Sequence, residues 1–351
     1  MHLLKKTLPL FLLAFSLQTS PVFAKTHTYR DSAEVSVTDA ADRDLGIYLA
    51  SLVSFRRAAE QAIPLIASQP FVKEAKLSPT EIRRLAYMLT QHKLSYTSDA
   101  ETNRPLQVVH KTKLEYDPLK FPESMGQIYQ LDSGNWILTK YRMAYESRLE
   151  VQIRDYLQQI QQAQDPAHRR LLRETQGAKL LKKYKADQLK AQATELANND
   201  RFEQAIQALD QATALVPDYP VYGIYKAFLS WTGHGKKPGE LSAEGGDAAL
   251  KVFSELIEKH PQESDLYTLR AAVYMIQGTV PAEGLKDTIT AVELDENNAL
   301  AYLLMGILGP QADRTAIGQQ GFEKACELGV QDACGEQVIS TPKGPPRPFE
   351  D

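Results

Sequence analysis

From Lys185 onward the chain repeats itself with a period in the thirties, and a period of that size allows few folds. In ADQLKAQATELANNDRFEQAIQALDQATALVPDY, the small residues Ala193, Ala205 and Ala212 alternate with the large Leu189, Leu196 and Leu209. Asn199-Asp200 makes a turn and Pro217 closes the unit. A second copy runs from Tyr219 to Gln262, with helices VYGIYKAFLSW and DAALKVFSELIEKH and with Ala249, Phe253 and Pro261 in phase. Between those helices TGHGKKPGELSAEGG is too rich in Gly and Pro to be helical. The third copy carries Tyr267, Ala271, Tyr274, Gly284 and Ala291, with Glu296 where the closing proline is expected, and the fourth begins at Asn298. Small side chains let two antiparallel helices approach closely, large ones fill the gap to the next pair, and such pairs stack into a solenoid.

These residues resemble the tetratricopeptide repeat, and FEKACELGVQDACGE at the chain's end resembles the related Sel1-like repeat. That second resemblance implies a disulfide between Cys326 and Cys334, with Gly329 at the turn between them. Two thiols without a neighbouring histidine cannot complete a tetrahedral zinc site, and their spacing is not that of a C-x-x-C redox pair. A staple there would clamp the last turn of a solenoid, where fraying is easiest.

The first residues, MHLLKKTLPLFLLAFSLQTSPVFAK, place Lys5 and Lys6 before an apolar run and Ala24 before a cleavage point, the pattern of a secretory signal peptide over residues 1–24. Without a cysteine near that site to take a lipid, the expectation is a periplasmic or secreted protein, a compartment in which disulfides persist. A net charge of −4 argues against nucleic acid as a partner.

Residues 25–118 read as a small α+β domain. HTYRDSAEVSVT alternates as a strand, and residues 39–69 place Leu45, Tyr48, Leu49, Leu52, Phe55, Ala59, Ala62 and Ile63 on one helical stripe. In LSPTEIRRLAYML, Ser78, Pro79 and Glu81 have the spacing of a capping box with proline at the first helical position. HKLSYTSDAE and LQVVHKTKLEYD are strands separated by Asn103-Arg104-Pro105. The stretch from SFRRAAEQAIPLIASQPFV through LQVVHKTKLEYD resembles the N-terminal domain of bacterial flagellar-assembly protein T, a resemblance that implies fold and an envelope location.

Residues 119–184 are expected to link the two parts through long amphipathic helices, the second starting at Asp165-Pro166, with the basic HRRLLRETQGAKLLKKYK as a solvated face. The fold class is therefore an α+β N-terminal domain followed by an all-α tetratricopeptide-like solenoid of αα-hairpins over 185–338, and a disordered Pro-rich tail over 339–351. No H-E-x-x-H, Walker or G-x-S-x-G motif is present, so no catalytic residue, metal or cofactor is expected. GHGKKPG neither follows a strand nor opens a helix, as a phosphate loop would, and STPK lies in the Pro-rich tail.

What remains is recognition: a non-catalytic exported adaptor that holds a peptide or partner protein of the cell envelope in the concave face of its repeats. By helical phase the expected groove residues are Lys190, Thr194, Asn198, Trp231, Thr268, Met275 and Tyr302, with Trp231 either meeting a ligand or packing under the insertion. The alternatives are an envelope enzyme acting on cell-wall or β-lactam substrates, as the Sel1-like resemblance allows, and a component of a flagellar or secretion complex.

Overall fold

A computed structural model describes residues 26–89, 91–100, 106–117, 121–122, 133–233, 243–278 and 280–335. The expected signal peptide, the Asn103–Pro105 turn, the GHGKKPG loop beyond Gly233 and the Pro-rich tail lie outside the described residues.

The N-terminal unit consists of β1 (His27–Val37), α1 (Arg43–Glu60), α2 (Ile63–Ala67), α3 (Pro70–Glu74), α4 (Pro79–Met88), β2 (Gln91–Ala100) and β3 (Leu106–Tyr116). The three strands form an antiparallel sheet in the order β1-β3-β2, so the last strand lies between the other two. The buried stripe of α1 covers it, and a Cβ at Gly46 would come within 2.6 Å of Val37 Cγ1. The single helix expected over 39–69 is broken, and α2 restarts with Pro64 in its first turn. A proline there has no N–H to donate and its ring clashes with the carbonyl four residues back, so α1 stops. The capping box of α4 is present: Ser78 N–H donates to Glu81 Oε2 at 2.8 Å, and Ser78 Oγ accepts from Glu81 N at 3.3 Å.

The long α5 (Ser133–Gln162) is followed by α6 (Pro166–Leu172), whose N-cap Asp165 accepts from Ala167 N at 3.0 Å. A π-helical turn over Arg173–Gly177 carries α6 straight into α7 (Ala178–Asn198), so the boundary expected at 184/185 falls inside a helix. Then come α8 (Phe202–Leu215), α9 (Val221–Gly233), α10 (Ala243–Lys259), α11 (Ser264–Gln277), α12 (Pro281–Leu294), α13 (Ala299–Gln311) and α14 (Thr315–Glu327). Consecutive helices pack as pairs and each pair packs on the next, as a helical-repeat solenoid requires. Ala193, Ala205 and Ala212 are 1%, 0% and 0% exposed, which places these small side chains inside the packed core.

Backbone bonds fix the repeat register. Val216, His260 and Asp295 N–H donate to Ala212, Leu256 and Ala291 at 3.1, 2.8 and 3.0 Å; Tyr219, Glu263 and Asn298 N–H donate three residues back to Val216, His260 and Asp295. Pro217, Pro261 and Glu296 are therefore equivalent, and the missing proline leaves the turn unchanged. Within the first and last pairs, Asp200 and Asp313 both adopt φ 58°, the left-handed conformation that Asp tolerates better than most residues.

Cys326 and Cys334 are joined by a disulfide across the turn after α14, and Gly329 in that turn has φ 92°. Replacing both cysteines with serine is expected to cost about 2–3 kcal/mol by relaxing the unfolded chain. Amide exchange should then quicken over α14 and the turn at 328–335 while β1 and β3 keep their protection. Uniform quickening, or none, would contradict the staple role.

Candidate functional site

The first helices of the repeats are α7, α9, α11 and α13, and α5 lies across the first three of them. Its residues meet the repeat starts about one helical turn apart. Tyr145 stacks on Tyr219 with centroids 3.8 Å apart, Tyr141 Oη donates to Glu263 Oε2 at 2.7 Å, and Lys140 Nζ pairs with Asp265 Oδ2 at 2.6 Å. Tyr219 and Glu263 are equivalent positions, so the helix reads successive repeats with successive turns. The N-terminal unit also reaches the far end of the solenoid, where a Cβ at Gly329 would stand 2.9 Å from Ala75 O.

Between α1, α4 and α5 runs a cleft of 650 Å³. Leu52, Tyr87, Met143 and Val151 supply its apolar surface, and Val151 is 54% exposed. Its polar lining is largely paired. Arg56 grips Glu150 through Nε and Nη2 at 2.9 and 3.1 Å and reaches Glu60 at 3.2 Å, while Arg154 adds a bond to Glu150 at 2.7 Å. Burial alone would raise the Glu150 carboxyl, but these arginines outweigh it and hold it below the ordinary carboxylate range. Arg84 lies over the Trp136 ring at 4.2 Å.

Through Leu52 and Glu146 this cleft adjoins a cavity of 330 Å³, where α1, β3, α5, α7 and α9 meet. Asp187 on α7 accepts from Tyr48 Oη and, at 2.8 Å, from Tyr222 Oη, joining the N-terminal unit to the first and second repeats. Burial raises the Asp187 carboxyl despite both donors, and burial also raises Glu146 against the pull of Arg142 at 3.5 Å. The Arg142 guanidinium sits 5.1 Å from the centroid of the Phe55 ring. Among the described residues, no three His, Cys, Asp or Glu side chains converge as metal ligands would.

The residues expected to line a concave groove do not form one surface. Trp231 is only 5% exposed and lies in the apolar core. Thr268 is fully buried: its hydroxyl donates to Ser264 O at 3.1 Å and accepts from Asn298 Nδ2 at 2.9 Å. Asn298 also donates to Ser264 Oγ and accepts from Ala301 N, so Thr268 belongs to a polar joint between the third and fourth repeats. Met275 and Tyr302 are half-buried against the core. Lys190 is half-buried, lines the cavity and lies over the Tyr225 ring at 4.9 Å; Thr194 and Asn198, one and two turns further along α7, are exposed. Helical phase alone does not show the cleft between α1, α4 and α5, the trough, although Arg142, Glu146, Glu150 and Arg154, each four residues apart, trace the face of α5 that borders it and the cavity.

No helix among the described residues is long and apolar enough to cross a membrane. No family model matches the chain. No curated protein matches it. Among solved structures, MamA 41-end from Desulfovibrio magneticus RS-1 is similar at 18% identity over 48% of this chain and 92% of that one, with a TM-score of 0.33.

Proposed function

We propose that this chain is a non-catalytic scaffold of the cell envelope that binds an extended segment of a partner protein in the trough between α1, α4 and α5. The observation that carries the reading is the open 650 Å³ cleft, apolar along Tyr87, Met143 and Val151 and flanked by Arg83, Arg84 and Lys140. Clefts at the junction of two packed units are common binding sites. Lys190 lines the adjoining cavity, and Thr194 and Asn198 are exposed further along α7. The binding surface is thus moved from the inner row of repeat helices, which α5 partly covers, to the seam that α5 makes with the N-terminal unit.

A photoreactive residue at Ser147, in the trough, is expected to give a discrete adduct in the native cell envelope, whereas one at exposed Glu323 on α14 gives none. Val151→Asp should reduce that adduct about tenfold, the effect of removing one central apolar contact. Equal labelling at both positions, or adducts indifferent to Val151→Asp, would remove the trough from consideration.

A further inference from the structure

The two outer strands of the sheet are not alike. The register of β2 against β3 shifts between His92 and Leu94, an irregularity of the kind that blunts a sheet edge. β1 pairs with β3 without a break, from His27 opposite Tyr116 to Val37 opposite Leu106. Among the described residues no strand lies beyond β1. The strand HTYRDSAEVSV therefore presents a long outer row of backbone groups with no proline, lysine or bulge to obstruct pairing. One of its carbonyls already accepts from outside the ladder: the exposed Gln61 Nε2 donates to Arg30 O at 3.3 Å. A smooth edge of this kind can take up a further strand.

The side chains of β1 identify that strand. Thr28, Arg30, Ser32, Glu34 and Ser36 are exposed on the outer face, while Tyr29, Asp31 and Val35 are half-buried and Ala33 and Val37 buried on the other. Residues opposite each other in an antiparallel ladder share a face, so a strand that pairs with its own copy about a two-fold axis must be centred on one residue. With the axis at Ser32, Arg30 stands opposite the partner's Glu34, Glu34 opposite the partner's Arg30, and Thr28 opposite the partner's Ser36. On the inner face Tyr29, held edge-on to Tyr116 at 5.5 Å, stands opposite the partner's Val35. Opposite charges, paired hydroxyls and an aromatic against a β-branched residue are the favourable cross-strand pairs, and two-fold symmetry makes each of them twice. Other centres lose this match. An axis at Asp31 sets two half-buried carboxylates against each other, one at Ala33 leaves Arg30 and Glu34 opposite serines, and one at Arg30 or Glu34 opposes like charges. Within the sheet Arg30 lies opposite Lys113, whose own ion pair is with Glu115 at 2.7 Å, so the partner's Glu34 would offset a like-charge neighbour.

We propose that this chain forms a two-fold dimer in which β1 pairs antiparallel with β1 of a second copy, centred on Ser32, to make one sheet continuous across both copies. No β1 residue lines the trough, so the proposal goes beyond the scaffold reading and does not rest on it.

Sedimentation equilibrium of the full chain over about 1–100 μM tests it, and the mass should rise to twice that of one chain. Arg30→Glu and Glu34→Arg should each weaken self-association at least about tenfold, because both cross-strand ion pairs become like-charged. An equimolar mixture of the two variants should associate about as tightly as the unaltered chain, since positions 30 and 34 are then opposite in sign at both contacts; that recovery also shows that each variant folds. A chain that stays monomeric, a dimer indifferent to either charge reversal, or variants that remain apart when mixed would each overturn the assignment. Loss of the Ser147 adduct with the dimer retained would sink the scaffold reading and leave this one standing.

Discussion

Arg173→Met should lower the unfolding free energy by about 3–5 kcal/mol, the loss expected when one partner of a buried ion pair is removed. Arg173 lies in the π-helical turn that joins α6 to α7, and it donates to Asp42 through Nε at 3.2 Å and Nη2 at 2.8 Å, with a further bond to Asp39. The Asp42 side chain is completely buried, while that of Arg173 is 29% exposed. Methionine fills the space of the stem but leaves the carboxylate with Tyr156 Oη, at 2.8 Å, as its remaining side-chain donor. An isolated buried charge is the costly state, so the pair Asp42→Leu with Arg173→Met should recover at least half of the loss. Urea unfolding of the two single variants and the double variant gives the coupling. A loss below about 0.5 kcal/mol for Arg173→Met would mean that Asp42 is solvated and that the pair behaves as a surface ion pair. The contact ties the start of α1 to the start of the repeats, and the same α1 goes on to line the trough with Leu52, Arg56 and Glu60.

What the sequence made legible is what local chemistry writes. Ser78 and Glu81 announce the start of α4, Asp165 and Pro166 that of α6, and the alanines at 193, 205 and 212 announce helix crossings, because caps and crossings depend on residues within a few turns of each other. The trough was not legible, since its walls come from α1, α4 and α5, and in the cavity beside it Tyr48 bonds to Asp187, 139 residues away. Nothing in a period of 3.6 or 35 residues records such a meeting. Trp231 and Thr268 show the complementary limit. Phase within a single helix says which side of that helix they occupy, but not that Asn298, from the next repeat, arrives to bury Thr268. Arg142 and Glu146 were visible as an i,i+4 pair, which reads the same on a solvated face as on the wall of a cavity.

The last helix pair is packed more closely than the first, and Gly321→Ala should expose the difference. Asp313 stands 113 residues after Asp200 in the equivalent turn (313 − 200 = 113), so Gly306, Gly318 and Gly321 correspond to Ala193, Ala205 and Ala208. In the first pair, alanine fits at these crossings. In the last, a Cβ on Gly321 would lie 2.5 Å from Gly306 N, 2.7 Å from Tyr302 O and 3.0 Å from the Met305 carbonyl carbon. All three are backbone atoms that no rotamer change can move, so α13 and α14 must separate. Alanine is the better helix former by about 1 kcal/mol, yet overpacking of this kind costs about 1–3 kcal/mol, and with rigid backbone on the receiving side the upper end is expected to win. The net result should be a loss of about 2 kcal/mol for Gly321→Ala, whereas Gly223→Ala, whose nearest neighbours are the terminal carbons of Leu256, should cost less than about 1 kcal/mol. Denaturant unfolding of both variants checks the order, and a neutral or stabilising Gly321→Ala would show that the helices are free to part. Separation would not stay local. Beyond α14, Leu328 lines a cleft together with Arg84 and Trp136, and Gly329 abuts Ala75, so a shifted α14 pushes on α4 and on the rim of the trough. Val151-dependent labelling at Ser147 should therefore fall in Gly321→Ala even though the substitution touches no trough residue, and unchanged labelling would separate the last repeat from the site.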